Sequence, residues 1–248
     1  MNILPYFRPP SIKTLKKVLC IQPHPDDNEV GMGGVIAYLA ERGCEIHYLT
    51  MTDGSLGAPD ESYTPERLAA ARKEEAEASG RFLGASKFFW LDHEDGTLNN
   101  VPALAAQISE LIRSEKYEAV FCPDAWLPYE AHNDHVTTGR AAAQAVLMSG
   151  LPNCPRGTKT APHQPSAIGF YYTAKPNTVV NVSKTFQKKM DALALHKTQI
   201  NDELLGLYRI YFKLQGVKLA FFKPFFIGEG LKVLAPLHLH CFTGAYKI

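Results

Sequence analysis

Short apolar runs alternate along the chain with stretches of helical periodicity. The runs are rich in β-branched and aromatic residues, and glycine, proline or polar residues bound them. Runs of this kind are typical of buried β-strands. They predict strands at residues 18–23, 45–52, 87–91, 119–123, 167–174 and 178–182.

Between these runs, apolar residues recur at the spacing of one helix face. In the first such stretch helical spacing is shown by Val30, Val35, Ile36 and Leu39, and Gly43 follows as a stop signal. Thr64 followed by Pro65 is typical of a helix start. The pattern predicts helices at 29–42, from 65 to a glycine at 80 or 84, at 101–116, from 133 or 134 to 148, and at 183–200 with a helical continuation to 219.

The alternation of strands and helices predicts an α/β protein. We expect a Rossmann-like three-layer sandwich, with a mostly parallel sheet and helices on both faces. In the common doubly wound order 3-2-1-4-5, strands 1 and 4 are neighbours at a switch point, where ligands bind beyond the carboxyl ends of the strands. We expect a single domain over residues 1–248, with a Rossmann-like core at about 17–182 and a C-terminal helical and cap segment at about 183–248.

Imidazole and carboxylate groups follow both of the strands that this topology places side by side. The segment PHPDDN at 23–28 comes directly after strand 1, and HNDH at 132–135 follows strand 4. Because the carboxyl ends of parallel strands meet at one edge of the sheet, we expect the two segments to converge. Two converging His/Asp clusters indicate one shared site.

Imidazole and carboxylate ligands favour zinc or a similar divalent ion, and a catalytic zinc has three protein ligands and an open position. His24 and Asp27 can come from the first segment and His135 from the second. Asp26 is then left beside the ligands, where it can act as a general base. The topology alone does not decide which of the two aspartates binds the metal.

Other groups at this edge can assist. His132 lies three residues before His135, and it can polarise a carbonyl oxygen or protonate a leaving amine. Asp134 can orient His132 or another ring. Tyr171 or Tyr172, at the end of strand 5, is a candidate oxyanion donor, although aromatic residues in strands more often belong to the core.

Each group also has a structural interpretation. Asp27 or Asn28 can cap the helix that follows, and Asp134 can cap the next one. The glycines within 31–34 can serve close helix–strand packing or a phosphate cradle. Packing is favoured, because the segment lacks the GxGxxG pattern of nucleotide-binding loops. The joint constellation of both segments favours a metal site over separate structural roles.

Composition and charge exclude several classes of protein. The 248 residues are 46% hydrophobic and 21% charged, and the net charge is +1, so there is no strong field for nucleic acid. No apolar run approaches the length of a membrane span, and no secretory signal is recognisable. The five cysteines include no CxxC pair and suit a reducing compartment. We expect a cytoplasmic protein, and the sequence leaves a homo-oligomer open.

The two clusters also resemble the signature segments of the PIG-L/LmbE-like de-N-acetylases. These segments are PHPDDNEVGMGG at 23–34 and HNDHVTTGRAA at 132–142, and weaker similarities occur at 50–57, 71–76, 196–199 and 228–234. The resemblance spans much of the chain. It implies a Rossmann-like, zinc-dependent amidase that removes acetyl groups from N-acetylglucosamine conjugates and related amino sugars.

The resemblance also implies roles for individual residues. It assigns zinc binding to His24, Asp27 and His135, and general-base catalysis to Asp26. It also implies roles for His132 as the electrophilic or acid partner, for Asp134 in its support and for Arg72 at the substrate edge. From their own positions in the predicted elements, we further expect Tyr172 to be a candidate oxyanion donor and His196, in the HKTQ segment, to have a structural or a channel-wall role.

Two positions depart from the family pattern. Asn28 stands where the family usually has glutamate, and Ser55 replaces a glutamate in the turn after strand 2. Neither removes a proposed ligand or the base, but both can alter substrate choice. Ferrous iron is an alternative to zinc, and the exact sugar is open. The competing hypotheses are a nucleotide-dependent Rossmann enzyme, such as a methyltransferase, and a non-catalytic metal- or sugar-binding module.

Overall fold

A computed structural model describes residues 8–248 of the chain. The described region contains these strands: β1 Lys17–Gln22, β2 Glu45–Thr52, β3 Ala85–His93, β4 Ala119–Pro123, β5 Ala167–Tyr171, β6 Thr178–Asn181 and β7 Gly228–Leu234. It contains these α-helices: α1 Asp27–Ala40, α2 Pro65–Leu83, α3 Val101–Glu115, α4 Asn133–Met148, α5 Phe186–Leu193 and α6 Asp202–Ala220. Short 3₁₀ helices lie at Pro236–Leu239 and Ala245–Lys247.

The strands form one sheet in the order β3-β2-β1-β4-β5-β7-β6. The strands from β3 to β5 in this order are parallel, whereas β7 is antiparallel to both β5 and β6. The predicted α/β class, the order 3-2-1-4-5 and the β1–β4 neighbourhood are confirmed. The predicted boundary at residue 182 does not limit the sheet, because β7, from the C-terminal segment, separates β5 from β6.

Side chains of the central strands alternate between two apolar cores, one on each face of the sheet. In β1, Val18 and Cys20 join the core beneath α1 and α5, whereas Leu19 and Ile21 join the core beneath α3 and α4. All of these side chains are buried. This period-2 pattern accounts for the continuous apolar runs in the sequence, since a parallel sheet is covered on both faces. It also confirms the predicted helices on both sides.

The helix predicted at 183–200 is wrong in extent, because α5 ends at Leu193. The following turn is held to α2 by Glu75, whose carboxylate accepts hydrogen bonds from the Thr198 amide at 3.0 Å and the Thr198 hydroxyl at 2.7 Å. Asn201 then caps α6 by accepting from the Leu204 amide. The helical continuation predicted to residue 219 is confirmed as α6.

The glycine-rich part of α1 is interrupted at Met32, which has non-helical backbone angles. The carboxylate of Glu229 accepts from the amides of Gly34 at 3.3 Å and Val35 at 2.7 Å. Lys189 pairs with Glu229 at 2.6 Å and donates to the Val30 carbonyl at 2.9 Å. The Glu229 carboxylate thus already accepts from the backbone amides that a phosphate would need. This contact supports the packing interpretation of these glycines.

Close packing also explains Gly31. A Cβ at this position would lie 2.3 Å from the ring of Tyr171, the last residue of β5. Strand 5 ends there, earlier than predicted, because Tyr172 adopts a positive φ of 56°. Within residues 8–248, none of the helices combines the length and the apolar composition that a membrane crossing needs.

Candidate metal centre

The loops after β1 and β4 meet at the carboxyl edge of the sheet, as the topology predicted. The ring centroids of His24 and His132 are 4.5 Å apart, and His135 lies 5.3 Å from each of them. Residues more than a hundred positions apart in sequence therefore share one small volume.

His24, Asp27 and His135 can hold one metal ion between them. Their candidate ligand atoms all lie within 4.8 Å of one another. The Nδ1 atom of His24 is 3.2 Å from Oδ2 of Asp27, and Nε2 of His135 is 3.4 Å from Oδ1. His24 and Asp27 are buried, and the His135 side chain is 14% exposed. This donor set matches a catalytic zinc site with three protein ligands.

The orientation of His24 supports this set of ligands. Its Nε2 atom lies 3.1 Å from Oδ1 of Asp95 and 3.5 Å from Oδ2 of Asp134, on the side opposite Asp27. Metal-binding histidines usually direct their second ring nitrogen to a carboxylate or carbonyl in this way. With Nδ1 directed toward Asp27, the ring of His24 has one nitrogen for a metal and one for its carboxylate partners.

A second combination of His24, His132 and Asp134 also brings suitable atoms together. Asp134 is fully buried, however, and its two carboxylate oxygens accept from the amides of Gly96 at 2.8 Å and Leu98 at 3.1 Å. It therefore fixes the loop after β3 and supports His24. Of the two alternatives that the sequence left open, His132 or another ring, the carboxylate of Asp134 faces the ring of His24, while the Asp134 amide donates to His132.

The electrostatics of this cluster favour a cation. Burial lowers the pKa of His24, but hydrogen bonds to Asp134 and Asp27 outweigh it and raise the pKa to about 11. Burial raises the pKa of Asp27, yet the positive charges of His135 and His24 bring it below its usual value. The carboxylates thus favour a positive charge in this buried space. A proton on His24 supplies that charge, and a metal ion can take the place of the proton.

Asp26 stands beside the ligands, at the start of α1, with a φ of 154°. Such backbone angles cost about 1–3 kcal/mol outside glycine and cluster at functional sites. Its Oδ2 atom lies 3.1 Å from Nη2 of Arg72, and its side chain keeps 18% exposure. Burial raises the pKa of Asp26, and Arg72 acts in the opposite direction. The carboxylate is therefore held in place, ionisable and accessible.

Arg72 is more deeply buried than the sequence predicted. The side chain is buried, and besides Asp26 it donates to the carbonyls of Gly54 at 2.8 Å and Pro25 at 3.4 Å. Arg72 thus ties the loop after β2 to the loop after β1. These contacts place it under the general-base candidate, and not at an exposed substrate edge.

His132 is the exposed member of the histidine cluster and the N-cap residue of α4. Its Nδ1 atom accepts from the Asp134 amide at 3.3 Å, which leaves the ring hydrogen of the neutral form on Nε2. Burial lowers the pKa of His132, and the positive charges of His24 and His135 lower it further. The ring is thereby suited to donate a hydrogen bond as neutral imidazole.

The two tyrosines after β5 have different surroundings. The Tyr171 hydroxyl donates to the Ile21 carbonyl at 2.9 Å inside the core. Tyr172 stacks on the ring of His135 at 5.8 Å, and its hydroxyl lies 3.2 Å from Oδ1 of Asp27. The structure therefore brings Tyr172, and not Tyr171, to the candidate metal centre.

His196 is fully buried behind α1, with Nε2 3.7 Å from Oε2 of Glu29. Burial lowers the pKa of His196, but Glu29 outweighs this and raises it. Without exposed surface, this ring does not line a channel, which corrects the expected substrate contact and leaves the structural role. The hydroxyl of Tyr48 donates to the other oxygen of Glu29 at 3.0 Å.

Asp95 is the residue that sequence reasoning missed. It is buried, and its Oδ2 atom accepts from the Leu56 amide at 3.1 Å, while Oδ1 faces His24. The sequence signal that could have identified Asp95 is its position just after β3, at the same carboxyl edge of the sheet as the loops after β1 and β4. Asn28, in contrast, is fully buried, and its side chain donates to the Cys20 carbonyl of β1.

The fold and this site define a class of α/β proteins with a His/Asp metal centre at the switch point. The sequence model of the PIG-L family, described as GlcNAc-PI de-N-acetylase, matches residues 19–146. Diacetylchitobiose deacetylase of Thermococcus kodakarensis is 37% identical over 94% of this chain and 89% of that protein. A probable N-acetyl-alpha-D-glucosaminyl L-malate deacetylase 2 of Bacillus cereus is 27% identical over 74% of this chain and 84% of its own.

Among solved structures, the N,N'-diacetylchitobiose deacetylase of Pyrococcus horikoshii, in complex with an inhibitor, superposes with a TM-score of 0.92. It is 35% identical, and the alignment covers 99% of this chain and 94% of that one. The chain therefore belongs to the PIG-L family of de-N-acetylases. The predicted family, fold class and enzyme class, a deacetylating hydrolase, are confirmed.

Proposed function

We propose that this chain is a metal-dependent hydrolase that removes the acetyl group from an N-acetylglucosamine-type sugar, with N,N'-diacetylchitobiose as the first substrate to test. The observation that carries the proposal is a triad of the buried His24 and Asp27 with the partly buried His135, beside which stands a spare, accessible carboxylate, Asp26. A binding module has no need of that carboxylate. The similarity to deacetylases of such sugars supports the choice of substrate.

Zinc is the metal that we propose for His24, Asp27 and His135, since imidazole and carboxylate suit it, and ferrous iron is the alternative. Bound there, the ion supplies Lewis acidity and makes water more acidic. Asp95 and Asp134 hold the ring of His24 in the orientation that binding requires. Their anionic charge also raises the basicity of this ring.

In the proposed reaction, Asp26 accepts a proton from the water that attacks the acetamide carbonyl carbon. Arg72 holds the carboxylate in position at 3.1 Å and favours its ionised form. The side chain of Asp26 makes no capping hydrogen bond to the helix that follows it, which leaves its carboxylate free for this role. General-base catalysis of this kind typically contributes about 10²–10⁴-fold to the rate.

His132 donates a hydrogen bond from Nε2 to the carbonyl oxygen as negative charge develops on it. The neutral ring suits this role, because its Nδ1 atom already accepts from the Asp134 amide. When the C–N bond breaks, the proton held by Asp26 passes to the amine nitrogen. The acetic acid formed in this way gives its proton to the amine, so the products are acetate and the ammonium form of the amino sugar, and atoms and charge balance.

Acetate release tests this function. The metal-loaded protein is incubated with N,N'-diacetylchitobiose and with N-acetylglucosamine, and acetate and free amine are quantified in parallel. We expect equimolar acetate and amine, loss of both on chelation, and recovery when zinc is returned. Ferrous iron under anaerobic conditions serves as the parallel metal. A metal-replete protein that releases no acetate from any N-acetylated sugar would contradict the proposal.

The ligand assignment has its own test. His135→Ala should lose bound zinc in elemental analysis, because one of its three protein ligands is removed. His163→Ala is a matched control, since this histidine contacts the Tyr117 carbonyl and belongs to neither set of candidate metal ligands. Full zinc content in His135→Ala would count against the assignment.

A further inference from the structure

An apolar stripe on α6 faces solvent along most of the helix. Its side chains recur at alternating steps of three and four residues and belong to Leu207, Ile210, Leu214, Val217 and, at the C-cap, Phe221. Each of these residues is at least 49% exposed, whereas the buried residues of α6 are Gly216 and Ala220. Surface helices normally turn their apolar stripe toward the core. The stripe of α6 instead faces away from the core of its own chain.

The spacing of the stripe is that of a coiled-coil seam. Leu207, Leu214 and Phe221 take the a positions of a heptad, and Ile210 and Val217 take the d positions. A narrow a/d stripe is typical of packing against a second helix. The pattern therefore favours a helix as the occupant over a flat lipid surface.

The exposed apolar area is large enough for a stable interface. Beyond Phe221, the side chain of Phe222 is 97% exposed, and Phe226 is exposed as well. At about 200 Å² for an aromatic side chain, these three phenylalanines alone expose roughly 500 Å². Together with the aliphatic side chains of the stripe, they reach the roughly 800 Å² per partner of a standard protein interface. The largest apolar patch of a typical monomer is about 300–600 Å².

A second copy of this chain supplies the same stripe. A two-fold axis across α6 makes the two helices antiparallel and the interface self-complementary. When a positions pack against d positions, Leu207 opposes the partner's Val217, and Ile210 opposes the partner's Leu214. The same layers repeat on the other side of the axis, so an unbroken row of apolar layers forms.

The charges of α6 favour this antiparallel arrangement. Asp202 and Glu203 lie in the first turn of the helix, whereas Lys218 lies in the last turn and Lys223 follows it. In the antiparallel register, the acidic end of each helix faces the basic end of its partner. A parallel pair would bring like charges together at both ends, and an anionic lipid surface would repel the first turn.

The pairing also bears on the candidate metal centre. A cleft of about 640 Å³ is lined by His135 and Tyr172 and by the side of α6 that carries Tyr211 and Lys218. Tyr211 and Lys218 both take the e position, beside the stripe. In an antiparallel pair the e positions of the two helices face each other, so both clefts open on one side of the seam. The partner's Tyr211 then borders the entrance of the cleft.

We propose that two copies of this chain pair through the α6 stripe, defined as Leu207, Ile210, Leu214, Val217 and Phe221, in this antiparallel register. Each copy covers the apolar stripe of the other and forms part of the rim of the other's cleft.

Sedimentation velocity and light scattering on the full chain measure the association. The unsubstituted protein should have the mass of two chains or of an even multiple of two. Leu214→Glu should raise the dissociation constant at least about 100-fold, because two charged side chains enter the apolar layers of each pair. Leu214 is 67% exposed in the single chain, so the variant should fold, which thermal unfolding verifies.

Leu151→Glu is the matched control for an added charge. Leu151 is also exposed, but it lies outside α6 in the loop after α4. Its variant should associate as the unsubstituted protein does. An association that Leu214→Glu leaves unaffected would place the interface elsewhere and overturn the pairing.

Lys213→Gln tests the register. Lys213 takes a g position near the axis, where it approaches the partner's Lys213 and repels it. Its replacement should lower the dissociation constant about two- to fivefold. Unchanged or weaker association would overturn the antiparallel register.

Crosslinking tests the shared rim of the two clefts. Tyr211→Cys should be joined into dimers by a short bismaleimide, above the background that the exposed Cys241 gives in the unsubstituted protein. No increase over that background, in a protein that still associates, would overturn the shared rim.

A monomeric unsubstituted protein overturns the pairing as a whole. Co-sedimentation with vesicles of phosphatidylserine and phosphatidylcholine then tests the other occupant. Vesicle binding by the monomer that Leu214→Glu abolishes would assign the stripe to a lipid surface instead of a second copy.

Discussion

Arg72 offers a quantitative test of how the ionisation of Asp26, the proposed general base, is controlled. Its Nη2 atom lies 3.1 Å from Oδ2 of Asp26. At an effective dielectric constant of about 20, unit charges at that distance interact by roughly 5 kcal/mol, which sets an upper limit. Water screens part of this interaction because the Asp26 side chain is 18% exposed. We therefore expect removal of the charge to raise the pKa of Asp26 by about one to two units, or roughly 1.4–2.8 kcal/mol.

The variant for this test is Arg72→Gln, which removes the charge and keeps a donor for the Gly54 carbonyl. Asp26 must be ionised to accept a proton, so a higher pKa moves the acidic limb of the kcat/KM profile to higher pH by the same one to two units. Above that limb, the activity should recover substantially. Arg72→Lys retains the charge and should leave the limb nearly in place.

The assay is acetate release from pH 4 to 9, with equal metal content in all proteins and thermal unfolding as a check on folding. Arg72→Gln should also lower stability, because a buried pair loses one partner. An acidic limb that stays at the same pH in folded, metal-loaded Arg72→Gln would refute the role of Arg72 in setting the ionisation of Asp26.

Other predictions follow from the same contacts. Since His24 has a pKa of about 11 without metal, zinc binding at pH 8 should release about one proton from this ring, and calorimetry in buffers of different ionisation enthalpy would contradict this if no release were found. In the metal-free protein the raised pKa of His24 should add stability below about pH 6.5 that is lost as pH rises toward 11, as denaturant unfolding can measure. Asp95→Asn should weaken zinc binding about 10–100-fold in competition with a chelator, and undiminished affinity would deny its support of His24. Lys189→Met should destabilise the fold by about 3–5 kcal/mol in urea, because the largely enclosed carboxylate of Glu229 loses its ammonium partner. Adding Glu229→Gln should recover part of the loss, whereas strict additivity would argue against the pair.

Much of the fold was predictable because its signals are local. The apolar runs gave the parallel strands β1 to β5, and the doubly wound order then predicted that the segments after β1 and β4 meet. The strand β7 was not predicted, because its apolar pattern is interrupted by Gly228, Glu229, Gly230 and Lys232. Its position depends on pairing with β5 and β6, which is a tertiary property.

The same distinction between local and tertiary signals applies to the candidate site. The ligand candidates lie in short motifs that carry their chemistry in the sequence, and the structure brings them together. Asp95 lies in no such motif, and only its contact with His24 shows its role. The burial of Arg72 and of His196 depends on how α2 and the turn after α5 pack. The sequence therefore suggested contact with the substrate, whereas in the structure Arg72 bonds to Asp26 and His196 lies beside Glu29.

The most direct test of the account is acetate release from N,N'-diacetylchitobiose by Asp26→Asn, compared with the unsubstituted protein at equal zinc content. Asparagine keeps the shape of the side chain but cannot accept the proton, while His24, Asp27 and His135 remain to hold the metal. We predict full zinc occupancy with a loss of activity of at least about 100-fold. Turnover close to that of the unsubstituted protein, in metal-replete Asp26→Asn, would contradict it.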